Sequence, residues 1–103
     1  MSGVYVLSPL ALADLSGIWD YSYDRWGSDQ ADIYVLAIHS ACEALATTVA
    51  DGQFGGQSAA HIRLGYRKQI VGSHLLFFRC SSAGVVDVVR ILHQRMDVAA
   101  HLG

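Results

Sequence analysis

A chain of 103 residues, 52% hydrophobic and 16% charged, holds one domain with one modest core and some apolar surface left over for a partner. Its net charge of −2 is unevenly spread: residues 1–51 carry one basic and seven acidic side chains, residues 52–103 six basic and two acidic ones, a pattern suited to a basic surface that meets an acidic partner or nucleic acid. The nearly uncharged stretches are broken by Ser, His or Gly before the ~20 apolar residues a bilayer requires, and the N-terminus has no Lys or Arg to open a signal peptide while Asp14 interrupts its apolar run, so a cytoplasmic protein without a membrane partner is expected.

Val4–Leu7 reads as a short strand that stops at Ser8-Pro9. Serine accepts an otherwise unbonded N–H as an N-cap, and proline fits the first helical position, where its missing donor is not needed. Ala11, Leu15, Ile18, Trp19, Ser22 and Trp26 then fall on one helical face, with both tryptophans expected in the core. Gly27 ends the helix and Ser28 is expected to cap the next, whose stripe is Ala31, Tyr34, Val35, Ile38, Cys42, Leu45 and Val49. So short a connection makes a helical hairpin.

Residues 51–60, rich in Gly, Ser and Gln, read as a loop without a phosphate-binding signature. Ile62, Leu64 and Tyr66 alternate with Arg63, Gly65 and Arg67, which predicts a strand carrying Arg63 and Arg67 on one wet face. Gly72-Ser73 turns the chain into a strand from His74 to Cys80, and a turn over Ser81–Gly84 leads to a last strand from Val85 to His93. The order β-α-α-β-β-β predicts an α+β fold in which the hairpin packs on one face of a twisted, largely antiparallel sheet.

Cys42 and Cys80 are too few for a disulfide framework and are expected as reduced core thiols. The histidines at 39, 61, 74, 93 and 101 have no metal-ligand spacing, so neither metal nor cofactor is expected.

Leu7-Ser8-Pro9-Leu10-Ala11, Asp14-Leu15, Ile18-Trp19, Trp26-Gly27, Gly65-Tyr66-Arg67, Gly72-Ser73-His74, Phe77-Phe78-Arg79 and Arg90-Ile91-Leu92-His93-Gln94-Arg95-Met96-Asp97 together resemble the ParE family of bacterial toxins, within the wider RelE/ParE superfamily. The resemblance runs along almost the whole chain. It implies the toxin of a type II toxin–antitoxin pair that inhibits DNA gyrase and is neutralised by a ParD-like antitoxin in a hetero-oligomeric complex, with no sequence-specific nucleic-acid binding by the toxin alone. The chain departs from the family where a proline and a Gly-Arg pair are usual after the second helix; it reads Ala46-Thr47-Thr48-Val49-Ala50-Asp51-Gly52-Gln53. The superfamily's other class, RelE-like ribosome-dependent mRNA endonucleases, would place His74, Arg95 and His101 near its catalytic positions. A toxin that keeps only antitoxin binding is a third possibility.

On the inhibitory reading no residue is catalytic. Target contact falls to Arg67, His93, Arg95 and His101, and antitoxin contact to Trp19, Trp26, Arg63, Arg67 and Arg79. His93 has an alternative as a turn cap or a partner of Asp97, and Arg79 and Arg90 as partners of Asp14, Asp87 or Asp97, because arginine is rarely buried alone.

Overall fold

Ser8 joins sheet to hairpin through one hydroxyl. In the computed structural model, which describes residues 3–81 and 84–102 and only the backbone at 99 and 102, Ser8 Oγ accepts from the Ala11 N–H at 3.0 Å and donates to the Val89 carbonyl at 2.7 Å. It thereby caps α1 (Pro9–Trp26) and ties the end of β1 (Tyr5–Leu7) to the last long strand. Gly27, at φ +89°, closes α1 by donating to the Tyr23 carbonyl and is itself the N-cap of α2 (Ser28–Ala50). Ser28 is the first helical residue and α2 starts without a side-chain cap, because the tight glycine turn places Gly27 at the cap position expected for Ser28.

The chain continues through β2 (Gln57–Ser58), β3 (Arg67–Val71), β4 (His74–Cys80), β5 (Val86–His93) and α3 (Val98–Leu102). The sheet order is β1-β5-β4-β3-β2, with β1 parallel to β5 and the other neighbours antiparallel. Ala11, Leu15 and Ile18 of α1 and Ile38, Cys42, Leu45 and Ala46 of α2 pack on Leu76, Phe78, Val86, Val88 and Ile91. Adjacent phenylalanines point to opposite faces of β4, and both are fully buried because both faces are covered: Phe78 lies under the helices and Phe77 in a second cluster with Ala59, Tyr66 and Leu92. That cluster is roofed by Ile62 and by Val98 of α3. The register shift between Phe77 and Phe78 leaves Val89 of β5 as an extra residue, and the reversed alternation lets Val88 and Ile91 both face the helices.

Several expectations change. Residues 62–66 are turns, not strand: Ile62 and Arg63 both donate to the Ala59 carbonyl, Tyr66 donates to the Arg63 carbonyl, and Gly65 has φ +85°. The alternation is only local, as Leu64 is 89% exposed; the strand starts at Arg67, so Arg63 and Arg67 do not share a strand face. Trp26 is 60% exposed rather than core, since it is the last residue of α1 and borders a cavity there. Cys42 is buried but Cys80, at the end of β4, is exposed. β2 and α3 were not expected, and the turn over Ser81–Gly84 lies partly outside the described residues. By length and composition alone α2 could also cross a membrane; here Ala31, Ile38, Cys42, Leu45 and Ala46 are its buried face, while Ile33 and Leu36 are exposed.

Candidate functional site

Beyond β5 the chain is held in a tight, well-bonded turn. Gln94 N–H donates to the Ser73 carbonyl at 3.0 Å, Met96 N–H to the His93 carbonyl at 3.0 Å, and Arg95 N–H to His93 Nδ1 at 3.1 Å. His93 is thus the turn cap, the alternative that sequence left open. The same bonds turn Arg95 and Met96 outward, and both are exposed.

Arg90 anchors this turn from behind. Its Nε and Nη2 reach the two oxygens of Asp14 on α1 at 2.8 and 2.9 Å, and the Ile91 N–H adds a third bond to Asp14 Oδ2 at 2.9 Å. Arg90 Nη1 donates to the His101 carbonyl at 3.4 Å. The hydrogen bond to Asp14 pushes the Arg90 pKa above its ordinary range, which keeps the fork charged and geometrically fixed. His101 is itself exposed.

His74 lies opposite His93 across the β4–β5 ladder, ring centroids 5.2 Å apart and edge to face. Its Nδ1 is 2.6 Å from Tyr34 Oη, which also accepts from the Ser73 N–H at 3.1 Å. Burial, and secondarily His93, lower the His74 pKa from its ordinary 6.5, with Asp14 acting in the opposite sense. The two imidazoles floor a cavity of about 430 Å³ between the hairpin turn and the ends of β4 and β5. Tyr21, Arg25, Trp26, Ile33 and Tyr34 form part of its wall. The Arg25 guanidinium sits 5.3 Å from the Tyr21 ring centre and 5.6 Å from that of Trp26, a double cation–π contact. Trp19, partly buried, donates its indole N–H to Asp32 at 2.9 Å and stacks on Tyr23.

The remaining basic residues lie elsewhere. Arg67 pairs in register with Phe78 and donates to the Gly55 and Gly56 carbonyls at 2.6 and 3.1 Å, with Phe54 over its guanidinium. It fastens the loop after α2. Arg79 is exposed and opposite Asp87 in the ladder, and Arg63 lies over the Tyr66 ring. Since β4 rises about 3.3 Å per residue, the Arg67 and Arg79 end of the sheet is well over 10 Å from His74 and His93. The structure therefore joins His93 to Arg95 directly, ties His101 to Arg90 on the same strand as His93, and separates them from Arg67. Sequence reading passed over Arg25 and Tyr34; the signal for Arg25 was its standing as the one basic residue among the first 51.

Residues 5–98 match the family model described as ParE toxin of type II toxin–antitoxin system, parDE. The chain belongs to the ParE toxin family. Among named ParE relatives, Toxin ParE1 of Mycobacterium tuberculosis is 48% identical over 102 residues, spanning 99% of this chain and 100% of that protein. Toxin ParE1 of Caulobacter vibrioides is 42% identical over 100 residues, spanning 96% and 97%. The ParE fold is shared by a solved structure described as the chromosomal ParDE TA system from P. aeruginosa, with TM-score 0.73 and 21% identity over 89% of this chain and 96% of the other.

Proposed function

We propose that this ParE-family toxin inhibits DNA gyrase by binding it, without chemistry of its own, and that a ParD-like antitoxin neutralises it in the cytoplasm. The observation that carries the reading is the tail turn: Arg95 and Met96 are exposed on a segment that His93, Ser73 and the Arg90–Asp14 fork hold rigid. A pre-organised cation beside an apolar side chain suits recognition of a protein surface. His93, Arg95 and His101 are the target-facing group; Arg67 belongs to it less well, being engaged with the loop carbonyls.

Trp19, Trp26, Arg63 and Arg79 are assigned to the antitoxin, with Trp26 the foremost anchor because it is large, exposed and beside Arg25. The RelE-like ribonuclease reading draws support from the His74–His93 pair. Against it, Tyr34 and the Arg95 N–H already occupy both Nδ1 atoms, so only the far ring nitrogens would be free for acid–base work.

Supercoiling of relaxed plasmid by purified gyrase decides between them. Loss of supercoiling that antitoxin reverses, and that Arg95→Ala alone or with His93→Ala abolishes, supports inhibition by binding. Normal supercoiling with cleavage of ribosome-bound mRNA would establish the ribonuclease instead. A chain that arrests no growth when expressed alone would retain antitoxin binding only.

A further inference from the structure

Apart from His93, the residues lining the cavity at the hairpin turn have no part in gyrase contact as argued above. Its wall is apolar and aromatic, with Trp26 60% and Ile33 59% exposed beside it. Its fixed charge is Arg25, and no carboxylate belongs to its lining among the described residues, even though the two helices carry Asp20, Asp24, Asp29 and Asp32. A lone cation clamped between two aromatic rings, over an apolar wall and an imidazole floor, is complementary to a carboxylate with an aliphatic neighbour.

The floor can answer such a charge. Tyr34 Oη lies 2.6 Å from His74 Nδ1 and 3.4 Å from the Val71 carbonyl, so its proton has two acceptors in reach when His74 Nδ1 is bare. If His74 takes a proton on Nδ1, that bond reverses and the tyrosine proton turns to Val71, so both states stay hydrogen-bonded. The groups facing His74 are Tyr34 on α2, Asp14, Tyr21 and Arg25 on α1, and His93 on β5, whose Nδ1 is held by the Arg95 N–H. Asp14 is already committed to Arg90 and Ile91. An entering carboxylate would add a second negative charge to that of Asp14.

We propose that the cavity receives an acidic side chain of the antitoxin segment, with Arg25 as its fixed charge and His74 as a proton-linked one, so that neutralisation tightens as pH falls. The inference rests on the antitoxin reading above. Because His93 serves both the cavity floor and the tail turn, the same occupant covers one edge of the target-binding turn.

The test is titration calorimetry, with Trp26 fluorescence, of the full-length toxin against an acetylated, amidated peptide centred on Leu-Glu-Asp-Leu, its Leu-Gln-Asn-Leu counterpart, and a short single-stranded RNA. The acidic peptide is expected to bind about tenfold or more tighter than the amide one, and Arg25→Ala to remove that preference. Affinity is expected to rise as pH falls through the range in which His74 takes up its proton, by at most about tenfold per pH unit for one proton, and His74→Gln to flatten the rise. Proton uptake read on the unsubstituted toxin, from heats in two buffers of different ionisation enthalpy, gives the same answer without a variant. Equal binding of both peptides, an affinity that does not rise as pH falls, or preference for the RNA each overturns the proposal. If a ParD-like antitoxin rescues growth and binds Arg25→Ala with undiminished affinity, the cavity is refuted and neutralisation stands; if no such antitoxin rescues even the unsubstituted toxin, the antitoxin reading fails and the peptide titration still decides the cavity.

Discussion

Replacing Asp14 by alanine removes an acceptor of three hydrogen bonds, two from the Arg90 guanidinium and one from the Ile91 N–H. Both charged side chains keep little contact with solvent, at 16% and 14% exposure. Deleting one partner of a buried pair costs about 3–5 kcal/mol because the other is left uncompensated. Arg90 retains some water and its bond to the His101 carbonyl, so the low end, about 3 kcal/mol, is expected. At about 4–8 °C per kcal/mol for a domain of this size, the melting temperature should fall by roughly 12–24 °C. Asp14→Asn should lose less, since an amide oxygen can still accept. As long as Asp14 is ionised, Arg90, with its pKa raised, keeps this contribution below the ordinary guanidinium range and loses it as pH rises through the folded value. Urea unfolding followed by tryptophan fluorescence measures the loss, and amide exchange over residues 94–101 measures whether the tail loosens with it. A change below about 1 kcal/mol would mean that water screens the fork as it does a surface pair, and the anchoring argument for the tail would fall.

Other expectations are independent of that pair. Cys80 should react with a thiol reagent in the native toxin while Cys42, buried and pushed up to about 11 by burial and by Glu43, reacts only on unfolding; its raised pKa also means stability lost as pH climbs from about 9, where the unfolded thiol ionises. His74 has the reverse sign: with its folded pKa lowered from 6.5, the unfolded chain binds the proton more readily, so stability should fall as pH drops below 6.5 and level off beneath the folded value, and His74→Gln should remove that part of the slope in denaturant titrations. Gly72 has φ +56° and an added Cβ would lie 2.7 Å from Tyr34 Oη, so Gly72→Ala should cost about 1–3 kcal/mol and weaken the Tyr34–His74 bond, visible as a shifted His74 titration by NMR. Arg95→Ala, on an exposed side chain, should leave the melting temperature within about 4 °C, consistent with the ~0.5 kcal/mol scale of surface substitutions, while abolishing growth arrest.

The helical hairpin was legible because its punctuation is local: Ser8-Pro9 and Gly27 act through their own backbone chemistry, and the stripe from Ala11 to Ser22 has no competing period. The family resemblance was equally legible, being carried by an ordered series of short motifs. The third strand was misplaced because Ile62, Leu64 and Tyr66 imitate a two-residue period over too few residues, and only the backbone angle at Gly65 reveals the turn. Trp26 continued the helical stripe on paper, but a stripe does not report where the sheet beneath it ends. The Tyr34–His74–His93 group spans α2, β4 and β5, so no spacing along the chain could announce it, whereas a carboxylate partner for Arg90 was expected from the rule that a strand arginine needs one, with Asp14 among the three named.

The place of β5 in the sheet bears on when the protein can become harmful. It lies between β1 and β4 yet is the last strand to be synthesised. Until it leaves the ribosome, β1 has no parallel neighbour, Ser8 lacks the Val89 carbonyl and Asp14 lacks Arg90. A nascent chain therefore carries a helical hairpin whose apolar stripes have no completed sheet to cover, and the tail turn has nothing to hold it in shape. On the proposed function, a toxin that acts through the tail turn cannot do so before β5 has been made, an interval in which an antitoxin already present can meet the chain as it closes.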